Sequence, residues 1–116
     1  MALAERRTNK RVPAKFKINY IHGGDYLISY SKDLSVDGMF IYTKDPPSVG
    51  ETTELTFSIG KIDRISVDAK VIWVNTSELE TEAGMGVQFI NPPLFLKETI
   101  LEIVNKIAVL LDGGTD

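Results

Sequence analysis

Two spacings of apolar residues divide this chain. Between residues 15 and 90 they recur at every second position in short runs, and after residue 95 at every third or fourth. The first spacing puts alternate side chains on opposite faces of a strand, and the second builds a stripe along a helix. Residues 15–20 alternate polar and apolar and read as a half-buried strand. His22-Gly23-Gly24-Asp25 is turn chemistry, so residues 26–32 return antiparallel to it. A third strand, rich in β-formers, spans residues 39–43, and Pro46-Pro47 within residues 44–50 marks a loop. Alternation resumes over residues 54–59 and ends at Gly60. Residues 65–74 form a longer strand with Ile65, Val67, Ala69, Val71 and Trp73 on one face. Ile72 and Val74 make its far end apolar on both sides, so that end is expected to be covered. Residues 75–83 are polar and acidic, a loop. Residues 84–89 form the last strand, with Met85, Val87 and Phe89 pointing one way and glycines that mark close backbone approach or a bend.

The tail changes period. Asn91-Pro92-Pro93 can cap and start a helix, and Leu96, Ile100, Ile103, Val104, Ile107 and Leu111 form its stripe. Gly113-Gly114 stops it. The stripe must cover one end or side of the sheet, or meet the helix of a second copy. Six short strands and one helix predict an all-β domain with a C-terminal helix: a small six-stranded antiparallel β-barrel. Closure pairs edges that an open sheet leaves exposed. The organisation is a basic arm over residues 1–12, the barrel over 13–91 and the helix over 92–112.

Composition narrows the class. At 116 residues the chain is one domain with room for a core, and with no cysteine it has neither disulfides nor thiolate metal sites. No apolar run is long enough to span a bilayer, and the N-terminus lacks the apolar middle of a signal peptide, so a cytoplasmic protein is expected. The net charge of −3 is uneven: residues 1–17 carry six basic residues against Glu5, and the remainder carries seven basic and fifteen acidic. On charge alone the arm reads as a solvated basic terminus. If it binds anything, an anion of modest size fits better than DNA or RNA, which usually meets basic residues spread over a face.

One polar stretch interrupts the β pattern: Asp33-Leu34-Ser35-Val36-Asp37-Gly38. If its first three residues stay extended, Asp33 and Ser35 project to one face, a carboxylate beside a hydroxyl, and Gly38 frees the backbone at the turn if φ is positive there. Catalytic chemistry is not expected. The single histidine, His22, sits at a hairpin tip and is expected to be exposed, and no serine has a histidine base. Glu78, Glu80 and Glu82 fall in a loop and read as solvated surface, and no ligand set has metal-binding spacing.

Two motifs carry a family resemblance. Arg7-Thr8-Asn9-Lys10-Arg11 reads RxxxR and residues 33–38 read DxSxxG. Supporting text runs through Val71-Ile72-Trp73-Val74 and Gly84-Met85-Gly86-Val87-Gln88-Phe89. Together, in this order, they resemble the PilZ domain, a bacterial family that binds cyclic di-GMP, over residues 5–112. The resemblance implies a ligand site of Arg7, Arg11, Asp33, Ser35 and Gly38. Arg6 matches a position associated with holding an intercalated nucleotide pair, and Trp73 one where some members place a base-contacting tryptophan, although a strand-end tryptophan is more often core. The chemistry suits the ligand. An arginine fork grips guanine O6/N7 or a phosphate, and a carboxylate such as Asp33 accepts from guanine N1–H and N2–H₂. Ser35 can donate to a phosphate or base, and Gly38 admits close approach. Asp37 stands where the family often has glycine and tolerates the turn.

The function implied is a cyclic di-GMP receptor or adaptor, not an enzyme, whose arm orders on the ligand and signals to an effector protein. Ordering about six free residues costs on the order of 6–12 kcal/mol. Bidentate contacts at roughly 1–3 kcal/mol each therefore need help from stacking, phosphate pairing or a partly ordered arm. The rival reading is a PilZ-like interaction module that binds no nucleotide, but members of that kind typically lack one of the two motifs. A homodimer is compatible with either.

Overall fold

The computed structural model describes residues 10–76 and 82–111. Arg6, Arg7 and the Gly113-Gly114 stop lie outside the described residues, as do Glu78 and Glu80. Seven strands and one long helix follow in order: β1 (Val12–Pro13), β2 (Lys17–His22), β3 (Asp25–Ser35), β4 (Gly38–Tyr42), β5 (Thr52–Ile59), β6 (Ile62–Asn75), β7 (Gly84–Ile90) and α1 (Leu94–Leu111). All pairings are antiparallel. The sheet runs β3-β2-β5-β6-β7-β4, and β4 returns to β3, which closes a six-stranded barrel.

The seventh strand, β1, is two residues long and continues the β2 edge along β3, with Val12 opposite Leu34 and Pro13 opposite Asp33. The strand is interrupted between β1 and β2, and Ser31 bridges the interruption. Its buried hydroxyl donates to the Ala14 carbonyl at 2.6 Å and accepts from the Phe16 amide at 3.0 Å. Buried backbone groups left without such partners would be costly. The end of the basic arm is thereby tied into the sheet beside the DxSxxG stretch.

The inward faces fill the barrel as the alternation requires. Ile18, Leu34, Met39, Ile41, Leu55, Val71, Met85 and Val87 have almost no solvent exposure. Each such side chain contributes roughly 1.5–3 kcal/mol of hydrophobic stabilisation. Helix α1 packs on β1 and β3, with Leu96, Ile100, Val104 and Ala108 buried in the same core. Leu111, expected in its stripe, is instead exposed at the helix end. Asn91 is not the helix cap. It turns the chain out of β7 in the left-handed region at φ 46°, and Pro93 accepts the first helical amides, from Leu96 and Lys97.

The pairing of β5 with β6 shifts register between Phe57 and Ile59, and two further β-bulges depart from strict alternation. One lies between Ser31 and Asp33 on β3, the other between Val71 and Trp73 on β6. The second overturns the expectation that Trp73 shares the inward face with Ile65, Val67, Ala69 and Val71. An inserted residue shifts the face of everything beyond it. Ile72 and Trp73 accordingly stand outside, and the far end of β6 is not covered there.

Candidate ligand-binding face

The DxSxxG stretch is mostly strand. β3 continues through Ser35 and β4 starts at Gly38, so only Val36 and Asp37 make the turn. Across the β3–β4 ladder Leu34 pairs with Met39, both in the core, while Asp33 pairs with Phe40 and Ser35 with Gly38. Asp33 and Ser35 therefore occupy the opposite, outer face. The registers of β4 with β7 and of β7 with β6 extend this face sideways. Asp33, Phe40, Gly86 and Trp73 form one row across four strands, and Ser35, Gly38, Gln88 and Lys70 form the next.

Arg11 reaches this face from just before β1. Its Nη1 lies 2.6 Å from Asp33 Oδ1, and the same oxygen accepts the Phe40 amide at 3.0 Å. The Asp33 side chain is about a fifth exposed, the Arg11 side chain nearly half. Such a pair contributes roughly 0.2–1 kcal/mol to stability, too little for a structural purpose alone. What it does is fix the guanidinium over the face. Arg11, Ser35, Asp37, Ile72, Val87 and Gln88 line a concavity of about 260 Å³ there. A larger one, about 510 Å³, lies elsewhere, lined by Tyr20, His22, Ser29 and Tyr42 among others, with none of the motif residues. His22, expected to be exposed, is half-buried at the end of β2 and faces that second hollow.

Two motif residues have a local structural reason. Ser35 is buried, and its hydroxyl donates to the Gly38 carbonyl at 3.3 Å, closing the two-residue turn. Gly38 is not at positive φ, contrary to the conditional expectation. It is glycine because a Cβ would overlap the carbonyl oxygen of Val87 on the neighbouring strand. Gly86 and Gly84 work alike: a Cβ at Gly86 would overlap the Trp73 indole, and one at Gly84 the Phe40 ring.

The floor of the face is aromatic. Trp73, 48% exposed, lies over Gly86 with its ring 5.3 Å from that of Phe40, which meets Tyr42 edge-on at 5.6 Å. The Lys32 ammonium sits 5.5 Å from the Phe40 ring, a cation–π distance. The face thus offers an arginine fork, a carboxylate, a half-open indole and backbone brought close by glycines. Sequence reasoning missed Gln88, Ile72 and Phe40. Gln88 is the outward polar residue of an alternating strand, but only the register with Gly38 brings it beside Ser35. Ile72 is turned outward by a bulge that no residue type announces. Among the described residues no group of three or more His, Asp or Glu is placed to hold a metal ion.

The chain belongs to the PilZ domain family, whose family model matches residues 5–106. Several solved structures share the fold. The inhibitor of motility MotI/DgrA of Bacillus subtilis superposes at a TM-score of 0.75 with 15% identity, over 90% of this chain and 52% of that one. A structure described as the PilZ domain of YcgR from Escherichia coli with c-di-GMP superposes at 0.68 with 16% identity, over 94% of this chain and 96% of that one. The K. pneumonia MrkH–c-di-GMP complex gives 0.68 with 18% identity, over 92% of this chain and 54% of that one. The chain thus spans about half the length of MotI/DgrA and MrkH. None of the curated proteins matches it. No helix among the described residues is long and apolar enough to cross a membrane.

Proposed function

We propose that this PilZ domain is a receptor for cyclic di-GMP, which it binds on the outer face of β3, β4, β7 and β6. The observation that carries the reading is Arg11 held on Asp33 at 2.6 Å, at the rim of a notch shared with Ser35 and Gln88. A cyclic dinucleotide presents phosphates and guanine edges together, and this face has a partner for each. Two relatives with the same fold are described as complexes with that ligand.

The roles divide by chemistry. Arg11 supplies two parallel N–H donors to guanine O6/N7 or to a phosphate. Asp33 orients Arg11 through Oδ1 and offers its carboxylate to guanine N1–H and N2–H₂. Trp73 gives a π-face on which a base stacks. Ser35 and Gly38 shape the turn that holds Asp33 and Asp37 at the edge of the face. A notch of about 260 Å³ holds one part of so large a ligand and leaves the rest outside. Arg6 and Arg7 of the arm close over that outer part, and a partner protein reads the closure. In this account the domain is a cytoplasmic adaptor without catalysis of its own.

Calorimetric titration with cyclic di-GMP, beside GTP and a single-stranded RNA, tests the reading. Binding of the cyclic dinucleotide alone is expected, weakened about 100-fold or more in Arg11→Ala and Asp33→Ala while the circular dichroism spectrum is kept. Equal affinity for GTP refutes the specific site. Unchanged amide exchange in residues 5–12 on ligand addition refutes the closing arm.

A further inference from the structure

The first half of β3 faces a different surface. Tyr26, Ile28 and Tyr30 alternate along its outer side and are 57%, 59% and 47% exposed, and Ile21, across from Tyr26 on β2, is 40% exposed. Single exposed apolar residues are ordinary, but a contiguous group on adjoining strands marks an interaction site. This group has an internal symmetry: the order tyrosine, isoleucine, tyrosine is the same read from either end, with Ile28 at the centre.

The charges beside it are ordered along the strands. At the Tyr30 end, Lys17 is the cross-strand neighbour and the Lys15 ammonium lies 5.2 Å from the Tyr30 ring. Beyond the Tyr26 end, Glu54 of β5 lies one strand past Ile21, as the pairing of Asn19 with Thr56 requires, while Asp25 belongs by alternation to the opposite face of β3. One end of the face is therefore cationic and the other anionic.

We propose that this face is an isologous homodimer interface and that its occupant is a second copy of the same chain. A two-fold axis lying in the interface along the Ile28–Asn19 pair reverses the strands of the second copy. Ile28 then meets Ile28 of the second copy, each Tyr26 meets a Tyr30, and each Lys17 lies over an Ile21 with Glu54 on the adjoining strand. An axis along the strands would instead set lysine against lysine. Like charges face to face are destabilising, so the charge order selects the first arrangement. The interface shares β3 with the ligand face but none of its site residues, and it does not depend on the ligand.

Sedimentation velocity of the full chain over about 1 to 500 μM tests this, a range that brackets micromolar association. The wild type is expected to move from monomer to dimer by mass action. Ile28→Asp, at a position exposed enough to fold normally, is expected to weaken the dimer at least tenfold with an unchanged circular dichroism spectrum. Lys17→Glu is expected to weaken it as well, and the double variant Lys17→Glu with Glu54→Lys to restore it. A monomer at every concentration overturns the proposal. So does a dimer indifferent to Ile28→Asp, which would place the contact elsewhere, such as on α1.

Discussion

Strand β3 carries two unlike surfaces on one backbone. From Asp25 to Tyr30 it pairs with β2, and its outer side chains are large and stand in solvent. Beyond the bulge at Ser31 it pairs with β1 and β4, and its outer neighbours across the sheet are Phe40, Gly38, Gly86 and Gln88. The first half projects Tyr26, Ile28 and Tyr30 from its outer side. The second half borders the notch of Arg11, Ser35, Ile72 and Gln88, and its three glycines let the Val87 carbonyl and the Phe40 and Trp73 rings pack against bare backbone. The proposed binding face thus rests on close packing around glycines, and the proposed docking surface on side chains that project.

The comparison can be broken most violently at its glycines. Gly38→Ala drives a Cβ into the Val87 carbonyl, backbone against backbone, and is expected to cost about 3 kcal/mol by urea denaturation, at the upper end for overpacking. Gly24→Ala is the contrast. It meets nothing within 4 Å and suffers only its φ of +84°, so about 1 kcal/mol is expected. Next comes Arg11→Ala, expected to weaken cyclic di-GMP binding about 100-fold in calorimetry, near 2.7 kcal/mol, while stability changes by under about 1 kcal/mol. Arg11→Lys keeps the charge without the fork and recovers only part of that loss. Trp73→Ala is expected to weaken binding about tenfold, the worth of one stacked base, at little cost in stability because the indole is half exposed. The smallest effect belongs to the first half of β3. Tyr30→Ser is expected to leave ligand affinity unchanged and stability within about 0.5 kcal/mol.

Much of this fold is legible in the period of the apolar residues. Ile18, Tyr20, Leu55, Phe57, Val67, Ala69, Met85 and Val87 are inside because alternation leaves them no other face. The helix stripe at Leu96, Ile100 and Val104 follows in the same way. The failures share a physical cause. Bulges at Ser31/Asp33 and Val71/Trp73 are set by how neighbouring strands curve, so the outward turn of Ile72 and Trp73 has no local signature. Asp33 and Ser35 are legible as a motif, but the reason for Gly38 lies far along the chain on β7, at Val87. Gln88 joins Ser35 only through register, a relation between strands and not a property of either.

The most direct test of the central claim is an NMR titration of the ¹⁵N-labelled chain with cyclic di-GMP. Shifts are expected at Arg11, Asp33, Ser35, Gly38, Gln88 and the Trp73 indole N–H, with Tyr26, Ile28 and Tyr30 unmoved. Shifts confined to Tyr26, Ile28 and Tyr30, or none at saturating ligand, would contradict it.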